Sequence, residues 1–135
     1  MANDNIELFK PFIEGLTLVL KKQFHTESSF GAPFIKTDQS HLDTDVASFI
    51  SIASNGLSGT IVLHFPTKTY LGLIGKMLGE EFHEITSEIC DGASEMLNML
   101  YGHAKIILNE QGHNFEKSLP KVIHGKNVDV NIFTD

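Results

Sequence analysis

Residues 84–111, EITSEICDGASEMLNMLYGHAKIILNEQ, form the longest segment of this sequence with a regular apolar pattern. Apolar residues recur there every three or four positions, which places their side chains on one face of an α-helix. They are Ile85, Ile89, Ala93, Met96, Leu100, Ala104 and Ile107. Thr86 or Ser87 can serve as the N-cap, and Gly112 follows as a stop signal. The sequence therefore predicts a long amphipathic helix that packs on a core along one side.

A first helix is predicted near the amino terminus. Residues 11–24 carry apolar side chains at helical spacing, and two lysines near the end suit the negative end of the helix dipole. Proline lacks the amide that a helix interior needs, so we expect the regular helix to begin near Pro11. The following residues, 25–45, are rich in polar residues and predict a loop with one short strand at 32–35.

A hairpin and a second helix are predicted in the middle of the chain. Residues 46–54 and 59–65 are rich in β-branched and aromatic residues, and the turn-forming sequence Asn-Gly-Leu-Ser separates them at 55–58. Residues 67–78 then show helical spacing before Gly79, a residue that commonly ends helices. We therefore expect an antiparallel β-hairpin followed by a short helix.

Two more strands are predicted after the long helix, at 119–125 and 128–133, around a Gly-Lys-Asn turn. The order helix, strands, helix, helix, strands predicts an α/β (α+β) fold: a two-layer sandwich of a mainly antiparallel sheet with long helices. The chain has 135 residues, a usual size for one domain with one core, so we expect residues 1–135 to form a single domain.

Composition excludes several classes of function. The formal net charge is -7, which argues against a surface that neutralises nucleic-acid phosphates. The single cysteine, Cys90, permits neither an internal disulfide nor a thiolate zinc site, so we expect a reducing compartment. No export signal opens the chain, and no run of about eighteen apolar residues predicts a membrane span. We expect a cytoplasmic protein.

The polar face of the long helix carries the candidate site. Asp91, Glu95, Asn98 and Gly102 stand at positions i, i+4, i+7 and i+11, a stripe roughly 60° wide nearly opposite the apolar face. Glycine costs about 1 kcal/mol relative to alanine inside a helix. A functional interpretation is that the stripe meets a partner that approaches closely at Gly102. The alternative is a solvated face, with Gly102 accommodating a neighbouring strand.

The stripe and its flanks resemble the signature of the CheC/CheX chemotaxis phosphatase family, above all the CheX-like members with a single Glu-x-x-Asn motif. The matching positions of the motif are Asp91, Glu95, Asn98, Met99, Gly102, Ala104 and the run Pro120–Gly125. Supporting matches are Pro11–Ile13, Gly56–Gly59 before the sequence IVLHF, and Lys76–Gly79. The similarity extends over about residues 8–130, and the ordered flanking matches make it more specific than the Glu-x-x-Asn pair alone.

The resemblance implies a phosphatase that hydrolyses the aspartyl phosphate of a CheY-like response-regulator receiver domain. Asn98 would orient the attacking water, and Glu95 would dock by pairing with a lysine of the receiver site. Asp91 and Gly102 would be partner-binding positions, Gly102 by giving clearance. The Mg²⁺ that offsets the phosphate charge would be held by the receiver, so we expect no cofactor or metal site in this chain.

The resemblance also implies a homodimer. Family members continue with further strands beyond the position that matches Thr134, whereas this sequence ends at Asp135. Either the sheet is smaller, or a second copy supplies its missing edge, because an exposed edge is a template for strand pairing.

Two rival functions remain open. Related domains in the flagellar switch share the fold without activity, so a non-catalytic response-regulator binding or switch module is one. Seven histidines prompt the other, a metal-dependent hydrolase: His25, His41, His64, His83, His103, His113 and His124. They form no HExxH motif, and we expect most of them on the surface or in loops. Cys90 has no visible activating base and is interpreted as a packed thiol.

Overall fold

The described part of the computed structural model, residues 2–31, 45–116 and 118–125, contains three helices and three strands. Their bounds, in chain order, are α1 (Ala2–Phe24), β1 (Val46–Ser54), β2 (Leu57–Phe65), α2 (Thr67–Leu78), α3 (Ser87–Glu110) and β3 (Lys121–His124). The strands form one antiparallel sheet in the order β2-β1-β3. α3 packs on one face of this sheet and α1 packs against α3. This is the predicted α+β class with an antiparallel sheet.

The β1-β2 hairpin closes more tightly than predicted. Ser54 pairs with Leu57, so only Asn55 and Gly56 form the turn and β2 begins at Leu57 rather than at 59. Both turn residues have positive φ, 50° for Asn55 and 87° for Gly56. Such a two-residue turn has the backbone twist that matches the two strands, and Asn-Gly is its preferred sequence. Leu57 and Ser58 therefore belong to the strand and not to the turn.

Helix α1 runs through Pro11, so the predicted start near this proline is wrong. Proline inside a helix removes one backbone hydrogen bond and costs about 3 kcal/mol. Residues on both sides of it, Leu8 and Phe12, pack against the core, and Pro11 is itself buried. Phe12 stacks on Tyr101 of α3 with ring centroids 6.4 Å apart. This packing on α3 offsets the lost hydrogen bond and keeps the helix continuous.

Helices α2 and α3 agree with the sequence pattern. α2 has the predicted bounds and ends at Gly79, whose φ of 70° is left-handed. α3 lies within the predicted 84–111, and Thr86 takes the N-cap position without a side-chain capping hydrogen bond. None of the helices in the described ranges is long and apolar enough to cross a membrane.

The buried face of α3 is wider than predicted. Cys90, Leu97, Tyr101 and Leu108 are buried in addition to the central residues of the predicted apolar face. The reason is that α3 contacts both α1 and the sheet, so two neighbours cover it from different directions. Only a strip of its surface is left to solvent.

The last described strand, β3, lies within the predicted 119–125 and pairs with β1, with Val46 opposite His124 and Phe49 opposite Lys121. The other two predicted strands, 32–35 and 128–133, lie outside the described residues.

Helices α1 and α3 approach each other closely at Gly15, and the surroundings of two glycines predict opposite effects for their substitution by alanine. A Cβ at Gly15 would lie 2.9 Å from the backbone oxygen of Leu100 and 3.3 Å from the Cβ of His103. We expect Gly15→Ala to lower the free energy of unfolding by about 1–3 kcal/mol. A Cβ at Gly72 in α2 meets nothing within 4 Å, so Gly72→Ala should raise that free energy by about 0.5–1 kcal/mol.

Urea denaturation followed by circular dichroism gives both values. A Gly15→Ala protein as stable as the wild type would contradict the close approach of the two helices.

Candidate functional site

The exposed strip of α3 carries the four predicted site residues. Asp91, Glu95 and Asn98 are exposed, and Gly102 is partly exposed on the same side of the helix. Within the described part of the chain, neither Glu95 nor Asn98 has a hydrogen-bond or ion-pair partner. The carboxylate and the carboxamide are therefore presented together and remain available to another molecule.

Gly102 faces open space. Apart from the adjoining residues and backbone of α3 itself, no described atom lies within 4 Å of the Cβ that another residue would carry there. The alternative that Gly102 accommodates a neighbouring strand finds no support in residues 45–116 or 118–125. Gly92, on the same helix, differs: a Cβ there would lie 2.5 Å from Ile74 Cδ1 and 2.8 Å from the Tyr70 hydroxyl oxygen. Of these two glycines of α3, one permits internal packing and the other leaves clearance outside.

Two buried hydroxyl groups contact the backbone of α3 beneath the site. The Tyr70 hydroxyl, from α2, donates to the Ile89 carbonyl. The Ser48 hydroxyl, from β1, donates to the Ala93 carbonyl at 2.8 Å. Both side chains are fully buried. They hold the helical turn that lies just before Glu95, and sequence analysis did not single out either one, because nothing local in the sequence shows that they reach α3.

An apolar residue borders the site and was also missed. Ile106 lies one helical turn beyond Gly102 and is 62% exposed, although it sits in the middle of a helix that packs on a core. Met99, one turn after Glu95, is half-buried. The signal in the sequence is an isoleucine outside the predicted apolar face, a position where a solvated helix usually has a polar residue.

The charge of the strip is negative at its amino-terminal half. Glu88, Asp91 and Glu95 are all exposed there. Glu88 lies in the first turn of α3, where the helix dipole stabilises an acidic side chain. Asp91 and Glu95 lie beyond that turn and gain little from the dipole. A partner with positive charge fits this surface electrostatically.

Cys90 is a packed thiol. Its side chain is buried, with Sγ 3.3 Å from the Ser87 carbonyl oxygen. Burial raises the pKa of the thiol, and the neighbouring charge of Asp91 acts in the same direction. Both effects disfavour the thiolate, which is the nucleophilic form.

The histidines do not gather around a common centre in the described ranges. In these ranges no three His, Cys, Asp or Glu side chains lie close enough to hold a metal ion. His103 lies on α3 beside α1, with its Nε2 3.4 Å from Glu14 Oε2. His64 is half-buried in β2, and burial lowers its pKa. His41 lies outside the described residues.

Residues 46–132 match the family model described as Chemotaxis phosphatase CheX. The chain belongs to the CheX family. The match includes the β1-β2 hairpin and all of α3, and therefore all four candidate residues. The family predicted from the Glu-x-x-Asn motif and its flanks is confirmed, whereas the individual roles of Asp91, Glu95, Asn98 and Gly102 stay predictions.

Solved structures of CheX and CheC-like proteins share the fold. Chemotaxis protein CheX from Vibrio vulnificus superposes with a TM-score of 0.85 at 31% identity, over 92% of this chain and 82% of that one. A CheC-like superfamily protein from Shewanella sp. PV-4 gives 0.84 at 32% identity, over 90% and 79%. The CheX-CheY-BeF3-Mg+2 complex from Borrelia burgdorferi gives 0.70 at 22% identity, over 89% and 78%, a likeness of fold alone. No curated protein matches the chain.

The two glycines of α3 predict opposite changes in stability. Gly102→Ala adds a methyl group in open space and improves helix propensity, so the free energy of unfolding should rise by about 1 kcal/mol. Gly92→Ala should lower it, because the new methyl group collides with Ile74 and the Tyr70 hydroxyl. Thermal and urea denaturation of the two variants measure both changes. A loss of stability in Gly102→Ala would contradict the open space over this residue.

Proposed function

We propose that this CheX-family chain is a cytoplasmic phosphatase that hydrolyses the aspartyl phosphate of a CheY-like receiver domain. One observation carries the proposal: Glu95 and Asn98 lie together on an exposed helical strip, without partners among the described residues and beside open space at Gly102. The CheX-CheY complex from Borrelia burgdorferi supports a receiver as the partner, since that protein has the same fold.

Asn98 is the proposed catalytic residue. An aspartyl phosphate is already reactive, so a catalyst mainly has to position a water in line with the phosphorus and stabilise charge. A carboxamide suits this task because it donates through its NH₂ group and accepts through its oxygen. It does so without carrying a charge that would repel the phosphoryl group.

Glu95 is the proposed docking residue. It precedes Asn98 by three positions, about one helical turn, so both side chains enter the same region of the partner. An acid at this place pairs with a lysine of the receiver site, and the pair becomes partly desolvated when the surfaces meet. Asp91, one turn earlier, adds to the same negative surface, and Gly102 lets the receiver approach the helix backbone.

The proposed chemistry uses a Mg²⁺ ion that the receiver holds, and none held by this chain. Carboxylate oxygens of the receiver site are suitable ligands for this cation, which neutralises phosphate charge. Glu95 and Asn98 then supply docking and orientation only.

Two alanine variants separate docking from chemistry. Asn98→Ala should lower the rate constant for hydrolysis by about 100-fold and retain most of the receiver affinity, because it removes a transition-state contact. Glu95→Ala should weaken affinity by about tenfold and also slow hydrolysis. Glu110→Ala changes an exposed acid at the far end of α3 and is the matched control. The measurements are the decay of the phosphorylated receiver and a binding titration.

An unchanged decay with Asn98→Ala would overturn the catalytic assignment. A wild-type protein that binds the phosphorylated receiver without accelerating its decay would instead identify a non-catalytic binding or switch module.

We also propose a homodimer in which β2 pairs with β2 of a second copy. β2 is an edge strand of the described sheet, and from Leu57 to Phe65 it has neither the charged residues nor the internal proline that commonly protect edges. An apolar groove of about 170 Å³ borders it. Two side chains of α1 that line the groove, Phe9 and Ile13, are 49% and 40% exposed. Antiparallel pairing about a two-fold axis would cover the same surface on both copies.

Charge placed in the groove tests the dimer. Ile13→Lys should raise the dissociation constant of the dimer by about tenfold or more, because each interface then buries two unpaired ammonium groups. Leu78→Lys is the matched control, since Leu78 is a 53% exposed leucine on α2 outside this groove. Sedimentation velocity over a range of concentrations measures the dissociation constants. A wild-type protein that stays monomeric throughout, or equal effects of the two variants, would contradict this interface.

A further inference from the structure

We infer that Tyr70 and Ser48 are positioning residues, whose hydroxyl groups hold the α3 turn from Ile89 to Ala93 in the place that sets Asn98 for catalysis. The inference rests on the proposed phosphatase function. It concerns side chains that lie on the far side of the helix from the partner and do not touch it.

Tyr70 reaches α3 from α2. Its hydroxyl donates to the Ile89 carbonyl, the group that accepts from the Ala93 amide in a regular helix. Burial raises the pKa of the phenol, so the hydroxyl keeps the proton that it donates. The Ile89 carbonyl therefore receives a donor from α2 in addition to its place in the hydrogen-bond pattern of α3. The contact links the backbone of α3 to α2 at Ile89.

Gly92 permits this contact. It lies between Asp91 and Ala93, and any larger residue would place its Cβ 2.8 Å from the Tyr70 hydroxyl oxygen. Glycine is disfavoured inside helices, so its presence here is explained by the approach of Tyr70 and Ile74 and not by local helix formation. Tyr70 itself is fully buried, so neighbouring side chains pack around its ring.

Ser48 holds the same turn from the sheet. It lies on the inner face of β1, where its neighbours at alternate positions, Val46 and Ile50, are apolar and buried. Its hydroxyl spans from β1 to the Ala93 carbonyl at 2.8 Å. Tyr70 and Ser48 come from different elements, so the turn is held from two directions.

Buried hydrogen bonds restrict the sliding and rotation of a helix more than apolar packing alone does. Apolar contacts tolerate small sliding or rotation of a helix, whereas a buried hydrogen bond loses its partner when the helix moves, and leaving a buried polar group unpaired is costly. Asn98 follows Ala93 by five residues, about 7.5 Å along the helix axis. A shift of about 1 Å in a group that orients a reacting molecule is enough to slow a reaction substantially.

Tyr101 provides a matched control, because it is the other tyrosine of the chain and its environment is similar. It is buried, and its hydroxyl donates to the Glu116 carbonyl at 2.6 Å. That hydrogen bond ties α3 to the segment that follows it and lies beyond Asn98. Tyr70→Phe and Tyr101→Phe each remove one buried hydroxyl that donates to a backbone carbonyl. The first removes a contact of α3 before Asn98, and the second removes a contact after it.

The experiment compares steady-state hydrolysis of a phosphorylated receiver by four full-length proteins: wild type, Tyr70→Phe, Ser48→Ala and Tyr101→Phe. We expect Tyr70→Phe and Ser48→Ala each to lower kcat about fivefold or more and to change KM less than twofold, since the flexible Glu95 side chain absorbs a small shift. Tyr101→Phe should keep kcat within about twofold of wild type while losing comparable stability. Ser48→Ala is the second test should Tyr70→Phe fold poorly.

Amide hydrogen exchange at residues 93–98 gives a readout that needs no receiver. We expect faster exchange there in Tyr70→Phe and Ser48→Ala than in Tyr101→Phe, because local opening of this turn becomes easier. An active wild type with equal kcat values in all three variants would overturn the positioning roles and leave the proposed function intact. A wild type without hydrolysis would overturn the proposed function itself, and exchange unchanged in Tyr70→Phe would overturn the structural basis of the positioning.

Discussion

Burial of α3 between α1 and the sheet fixes the position of every residue in the candidate site. Two neighbours that approach from different directions leave only a strip of the helix in contact with solvent. The strip carries the carboxylate and carboxamide side chains of Glu95 and Asn98. The helix that contributes most to the core is thus also the helix that presents the candidate site, so the packing of the core determines where the proposed functional groups lie.

Three glycines in α1 and α3 differ in what lies next to them. Gly15 allows the backbone of α3 to lie close to α1, and Gly92 allows Tyr70 and Ile74 of α2 to reach α3. Gly102 meets nothing among the described residues, which offer no compensation for its cost in helix propensity. The first two glycines are explained by the fold, whereas clearance for a receiver domain is the role proposed for the third.

Membership of the CheX family and the geometry of α3 support each other without being the same observation. The family match concerns the sequence of residues 46–132. The geometry concerns the exposure of Glu95 and Asn98, their lack of partners among the described residues, and the open space at Gly102. A catalyst for an already reactive phosphate needs orientation more than strong nucleophiles. The proposed activity therefore depends on side chains that orient a water molecule and does not require a metal cluster or a reactive thiol of this chain.

Features that depend on neighbouring residues could be predicted from the sequence. Spacing placed Glu95, Asn98 and Gly102 on one side of a long helix, and the turn-forming residues 55–58 placed the hairpin turn, because helical periodicity and turn preferences are local properties. The pairing of Ser54 with Leu57, which shortens the turn to Asn55 and Gly56, was not predicted. The continuation of α1 through Pro11 could not be predicted either, since the compensating contacts come from α3, which is distant in the chain. The hydroxyls of Ser48 and Tyr70 became partners of α3 for the same reason. Their distances to Ala93 and Ile89 depend on how separate elements pack, and no local pattern in the sequence records that packing.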